Sequence, residues 1–246
     1  MEVHPYPHTE RKRLKHYLFE FLMLFLAVFA GFIAENLREH FVDHKKEKQY
    51  ILSLIEDIRA DIANVDTIIN DYKTKVPRID SLLLNFGEFM KGYSPSFQHN
   101  ISATWGFMDF FPTDRTMQQL KYAGGLRLIK NQAVSDSIMC YDRLIRDVML
   151  EQDNMGQQHF VKIWDKNFLF FDEYKYDSLK LHKTDAQIDK ERPYSLMATN
   201  RRELVEYYSR LKALKGNFFL FIDELEILKN EGTRLITVLQ KEYHLK

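Results

Sequence analysis

Cysteine is all but missing from this 246-residue chain. Cys140 stands alone, which excludes an internal disulfide and any cysteine-rich metal site. Net charge is missing too: 35 Lys and Arg balance 35 Asp and Glu, so the basic excess of a nucleic-acid binder is absent. There is no P-loop, dinucleotide fingerprint, Gly-x-Ser-x-Gly elbow or kinase signature. The sequence therefore predicts no enzyme, no cofactor, no catalytic or metal residues and no nucleic-acid partner. Strand signals are nearly absent as well. What is present is 45% hydrophobic and 28% charged residues, an ordinary balance for a folded chain of one domain or two small ones.

The most informative segment is Tyr17 to Ala34, where Glu20 is the only charged residue among 18. A helix of about 20 residues spans roughly 30 Å of hydrocarbon. Phe, Leu and Met occupy its whole circumference, which a soluble core helix rarely shows. A cleavable signal peptide fits the basic cluster Arg11, Lys12, Arg13 and Lys15, with Val28-Phe29-Ala30 as a weak cleavage site. The apolar run, however, exceeds the roughly 7–15 residues of such a peptide, and it carries a charge and leads straight into a polar helix. The reading is an uncleaved anchor: a basic tail (1–16), a transmembrane helix (17–36) and a soluble helical domain (37–246). Basic residues crowd the upstream edge, whereas Lys45, Lys46 and Lys48 lie farther downstream. That asymmetry predicts an inner-membrane, single-pass protein with a cytoplasmic N-terminus and a periplasmic domain.

Beyond the span, neither proline nor glycine interrupts residues 35–76. Ile51, Ile55, Ile58, Ile62, Val65, Ile69 and Tyr72 form a heptad seam on a long helix, with Asp57, Asp61, Asp66 and Asp71 expected to keep its other faces wet. Pro77 is expected to end or kink it, and Arg78 to Met90 to form a shorter helix. Tyr93 to Thr113 is irregular yet rich in aromatics, among them Phe97, Trp105, Phe107, Phe110 and Phe111. They are expected to tuck under the bundle, or else to line a ligand pocket. Thr113 or Asp114 caps a helix ending at Gly124-Gly125. A second long helix starts near Asn131, with Val134, Ile138, Tyr141, Ile145, Val148 and Met155 inward and Gln152 as a polar interruption. An aromatic stretch with Trp164, Phe168, Phe170 and Phe171 follows. Asp177 to Thr199 reads as a connection containing Pro193. The last helix, from Asn200, presents Leu204, Tyr208, Leu211, Leu214, Phe218, Phe221, Leu225, Leu228, Leu235 and Leu239, with Gly216 and Gly232 as tolerated breaks. The fold class is all-α: a transmembrane helix continuing into a long helix, plus an antiparallel helical bundle. The membrane-proximal seam also suits coiled-coil self-association.

Two segments carry a likeness. One is Glu20-Phe21-Leu22 with Ala27, Gly31 and Ala34-Glu35-Asn36-Leu37-Arg38-Glu39. The other is Leu120-Lys121-Tyr122-Ala123-Gly124-Gly125-Leu126-Arg127-Leu128-Ile129-Lys130-Asn131, followed by Ile138 and Tyr141. Together they resemble a family of uncharacterised single-pass membrane proteins of Bacteroidota. The resemblance implies an N-terminal span and a helical soluble part, and no activity. At position 37 the chain has Leu where that pattern often has Trp.

Four features have a functional reading. Glu20 is an ionisable group inside a span, a candidate proton relay or a headgroup-zone partner of Lys15 or His16. Ala27, Gly31, Ala30 and Ala34 are spaced to let two helices approach closely. Arg127 and Lys130 flank a helix start that could attract an anion, although Gly124 or Gly125, Leu126, Leu128, Ile129 and the Asn131 cap read first as a structural corner. His40 and His44 share a helix face with Glu39 and Glu47 but lack the further ligands a metal needs, and His4 and His8 point to nothing firm. Partners are expected to be the lipid bilayer and either another protein or a second copy. The leading function is a membrane-anchored helical interaction or scaffold protein. A sensor or ligand-binding ectodomain acting through a partner is the alternative, and a subunit of a proton-driven machine using Glu20 is a third reading.

Overall fold

The computed structural model describes residues 14–92, 95–172 and 195–245, with 174, 177, 178, 181–184 and 187 between them. The basic cluster Arg11 to Arg13, His4, His8, Tyr93 and part of the 177–199 connection, Pro193 included, lie outside the described residues. Every regular element among those described is helical. The chain divides into two units, residues 1–49 and 50–246.

Helix α1 (Leu14–Leu84) contributes to both units. In the first, every residue from His16 to Val42 is exposed, and Phe21, Phe25 and Phe29 stack along one side at 6.3 and 5.8 Å. The helix is long and apolar enough to cross a membrane, and none of its most apolar 18-residue window is buried. A helix in a water-soluble core would have a covered face.

The second unit starts where α1 becomes two-faced. Ile51, Leu54, Ile55, Ile58, Val65, Ile68, Ile69 and Tyr72 are buried on one side. After α1 come α2 (Phe86–Phe89), α3 (Pro95–Ile101), a 3-10 turn, α4 (Arg115–Tyr122), a second 3-10 turn (Gly125–Leu128), α5 (Gln132–Met155), a π-helical turn (Gly156–Phe160), α6 (Val161–Phe170) and α7 (Arg201–Glu242). Ion pairs set the direction of α7 against α1. Asp66 meets Lys229 at 2.5 Å, Lys73 meets Glu226 at 3.0 Å and Asp80 meets Lys215. Rising numbers on α1 face falling numbers on α7, so the two are antiparallel. Phe160 stacks on Phe218, and the Tyr207 hydroxyl donates to Asn167 at 2.7 Å. The α5–α6 run is therefore antiparallel to α7 as well. An antiparallel helical bundle results, sealed by Leu211, Leu214, Phe218, Phe221, Leu225, Leu228, Leu235 and Leu239.

Several local expectations change. Helix α1 does not end at Pro77 but runs on to Leu84. A proline in a helix interior costs about 3 kcal/mol. Burying Ile79 and Leu82 beyond it returns about 1.5–3 kcal/mol each, enough to carry the helix through. Asp57 and Asp61 do not keep a face wet, because both are buried. Asp66 is half exposed, as expected. On α7 the inward tyrosine is Tyr207 rather than Tyr208. Of the irregular aromatics, Phe97 and Phe110 are buried and Phe107 packs against the core, whereas Phe111 and Trp105 are exposed.

The two glycines of α7 differ in kind. A Cβ at Gly216 would meet open space, whereas one at Gly232 would lie 3.1 Å from both Ile58 Cγ2 and Tyr141 Cε2. Gly232 is the point of closest approach of α7 to α1 and α5, not a tolerated break. Gly216→Ala should stabilise the detergent-solubilised chain by about 1 kcal/mol. Gly232→Leu should destabilise it by about 2 kcal/mol through overpacking. Thermal unfolding followed by circular dichroism reads both.

Candidate functional site

In the first unit, Glu20 sits one turn from His16, whose Nε2 lies 3.3 Å from Glu20 Oε1. The two groups share an exposed helix face. Ala27, Ala30, Gly31 and Ala34 are all exposed, and nothing lies within 4 Å of a Cβ built on Gly31. Just beyond Ala34, Arg38 makes a two-point ion pair with Glu35 at 2.5 and 2.8 Å. His44 Nδ1 lies 3.3 Å from Glu47 Oε2. Among the described residues, no group of three His, Cys, Asp or Glu is placed to hold a metal ion.

In the second unit, the Gly124–Asn131 corner follows from its residues. Gly124 takes φ +73°, the left-handed region that a side chain disfavours. Gly125 is needed for space, since a Cβ there would stand 3.1 Å from Leu120 Cα. Ile129 is buried beneath. The Asn131 side chain accepts from the Ala133 and Val134 amides at 3.0 and 3.4 Å, engaging donors an anion would use. Arg127 and Lys130 are exposed beside it. The structure brings those two together, but around a capped corner.

The segment between Thr104 and Thr116 is held to the bundle by side chains from three helices. Asp57 of α1 accepts from Arg115 Nε at 2.7 Å and from the Thr116 amide at 3.1 Å. It thereby caps α4 from another helix, the task expected of Thr113 or Asp114; Asp114 makes no cap bond itself. One turn on, Asp61 accepts from the Thr113 amide at 2.6 Å and from the Tyr141 hydroxyl at 3.3 Å. Gln152 of α5, expected as a mere interruption, is buried and accepts from the Phe110 amide at 2.6 Å. Lys75 donates to the Gly106 carbonyl at 2.6 Å. Phe107 stacks on Phe160 at 4.4 Å, over the Gly156 backbone. Burial raises the Asp61 carboxyl above the usual range; the Thr113 and Tyr141 hydrogen bonds oppose the shift, and the neighbouring Asp57 charge adds to it.

At the start of this strap, Trp105, Trp164, Asn167 and Phe168 line a partly open cleft of about 160 Å³. Trp164 Nε1 donates to the Thr104 carbonyl at 3.0 Å, which sets the plane of its indole. Asn167 is buried: its Nδ2 donates to Thr104 Oγ1 at 3.0 Å and its Oδ1 accepts from Tyr207. Trp105 meets the Phe168 ring edge-on, 6.1 Å between centroids. A pocket formed by the irregular aromatics was one of two expectations. Three of its four lining residues come from α6, which sequence reasoning had not joined to it.

No family model matches this chain, and neither a curated protein nor a solved structure matches it.

Removing Asp57 should be costly, because Asp57→Ala leaves the buried Thr116 amide without its acceptor; a loss of about 2 kcal/mol is expected in chemical denaturation. Asp61 yields a pH test. With its carboxyl raised in the folded state, the folded chain binds that proton more tightly than the unfolded chain. Its contribution to stability is thus largest at low pH and declines as pH rises from the ordinary aspartate range through the raised value. Asp61→Asn should remove that component of the slope above the ordinary aspartate range. Melting temperatures of both proteins from that range upward, subtracted from one another, measure it; a pH-independent difference would contradict the assignment.

Proposed function

We propose that this chain is a membrane-anchored helical interaction or scaffold protein without catalytic activity. In this reading residues 17–36 cross the inner membrane once, the basic N-terminal tail faces the cytoplasm and the helical domain stands in the periplasm. The observation that carries it is the contrast along α1. From Tyr17 to Ala34 the side chains, apolar but for Glu20, are exposed on every face, and from Ile51 onward one face is sealed into a core. Such a surface in water would be an aggregation site; in hydrocarbon it is matched to its solvent. The reading agrees with the single-pass Bacteroidota family that the two quoted segments resemble. A partner helix, or a second copy, is proposed to dock on the face carrying Ala27, Gly31 and Ala34, where backbones can approach closely.

The test is fractionation with topology. The full chain should resist alkaline carbonate extraction, and alkaline phosphatase fused after Lys246 should be active. Recovery of the intact polypeptide in a detergent-free supernatant would overturn the anchor, and an inactive fusion would overturn the orientation. For association, Gly31→Leu should reduce crosslinked oligomer or partner recovery from membranes at least several-fold while leaving insertion unchanged.

A further inference from the structure

The cleft formed by Trp105, Trp164, Phe168 and Asn167 goes beyond the scaffold reading and does not depend on the membrane span. We propose that it is a binding site for a quaternary ammonium group of the trimethylammonium class.

The argument begins with what the walls offer. None of the four lining residues is Lys, Arg or His, and none carries an anion. The indole N–H of Trp164 is already given to the Thr104 carbonyl, and the Asn167 amide is engaged through both its nitrogen and its oxygen. A ligand that relies on directional hydrogen bonds to these groups would have to displace a buried network. A ligand whose charge is diffuse and needs no such bond would not.

The π faces remain. An aromatic ring carries a negative face, and indole holds a cation best of the three aromatic types. In a chain with only two tryptophans, both stand at this one cleft, with a phenyl ring set edge-on to the first. The walls contain no Leu, Ile or Val, although these residues fill the rest of the core. A cavity of about 150 Å³ accommodates a molecule the size of benzene. A trimethylammonium head is of that bulk, and the cleft measures about 160 Å³.

The protein supplies its own reporter, because both tryptophans line the cleft. The full chain, held in phosphatidylglycerol nanodiscs so that no choline headgroup is present, is titrated with choline chloride. Its neutral isostere 3,3-dimethylbutan-1-ol and phosphatidylcholine vesicles form parallel arms. A saturable change in tryptophan emission with choline, with a midpoint on the order of 1 mM, supports the site. A response to phosphatidylcholine vesicles alone also supports the chemistry and assigns its source to a lipid headgroup; a response to free choline assigns it to a soluble ligand. An equal response to the isostere would overturn the proposal, since the cleft would then be selecting bulk rather than charge. No response in any arm would overturn it too.

Trp105→Leu keeps apolar bulk, removes one π face and leaves the Trp164 hydrogen bond in place. It should weaken choline binding by about 5-fold or more, read from the remaining Trp164 emission. Phe168→Leu is the second variant, with circular dichroism melting as the check that either protein is folded. Unchanged choline affinity in both folded variants would again sink the assignment.

Discussion

Two buried carboxylates one turn apart hold the second unit in its shape. Asp57 and Asp61 lie on the inner side of α1, where an unpaired charge would be too costly to keep. Each accepts a backbone amide from a distant part of the chain, Asp57 that of Thr116 in the first turn of α4 and Asp61 that of Thr113, two residues before that helix. The strap they fasten has little regular structure, so its amides need such acceptors. Gln152 and Lys75 serve it in the same way from α5 and from farther along α1. The strap in turn carries Trp105 and Phe107 to their positions against α6 and the π-helical turn. A scaffold of three long helices would pack without these contacts; the shape of its surface would not be the same.

Periodicity made the scaffold legible. The heptad steps from Ile51 to Tyr72 and from Val134 to Met155 mark faces that are indeed buried, and Asn131 and Gly124 announce their cap and turn by residue type alone. Polar residues were misjudged where their partners are remote in sequence. Asp57 has the same local pattern as the half-exposed Asp66, and the kind of partner separates them: a buried backbone amide for Asp57, a lysine side chain for Asp66. Gln152 looks like a flaw in a stripe until the strap arrives to use it. Tyr207 and Tyr208 differ by one step on the same helix, a distinction the bonds of Asn167 settle and composition does not. For the cleft, the aromatic density was visible in both contributing segments. Their convergence was not, because some sixty residues separate Trp105 from Trp164 and no local rule connects them.

The two units meet their surroundings by opposite means. The first leaves the apolar side chains from Tyr17 to Ala34 outside, with Glu20 the one charge among them. The second buries an aliphatic face on each long helix and sets charges in pairs along the α1–α7 flank, such as Asp66 with Lys229. Exposed pairs of that kind add little stability, typically below about 1 kcal/mol each. Their more useful property is direction: they are satisfied in one relative sliding of the helices and unsatisfied in others.

The π-helical turn between α5 and α6 has a consequence for how this chain can change. Buried positions step by three or four along α5, then by five from Met155 to Phe160, then by three and four again at Ile163, Asn167 and Phe170. The turn is thus one residue longer than the helix on either side requires. Losing one residue there would regularise the helix while swinging everything after it by about 100°. Asn167 would leave its tyrosine and threonine, and the outward ring of Phe168 would be driven toward the interior. Substitution can be absorbed along this stretch one side chain at a time; a change in its length cannot.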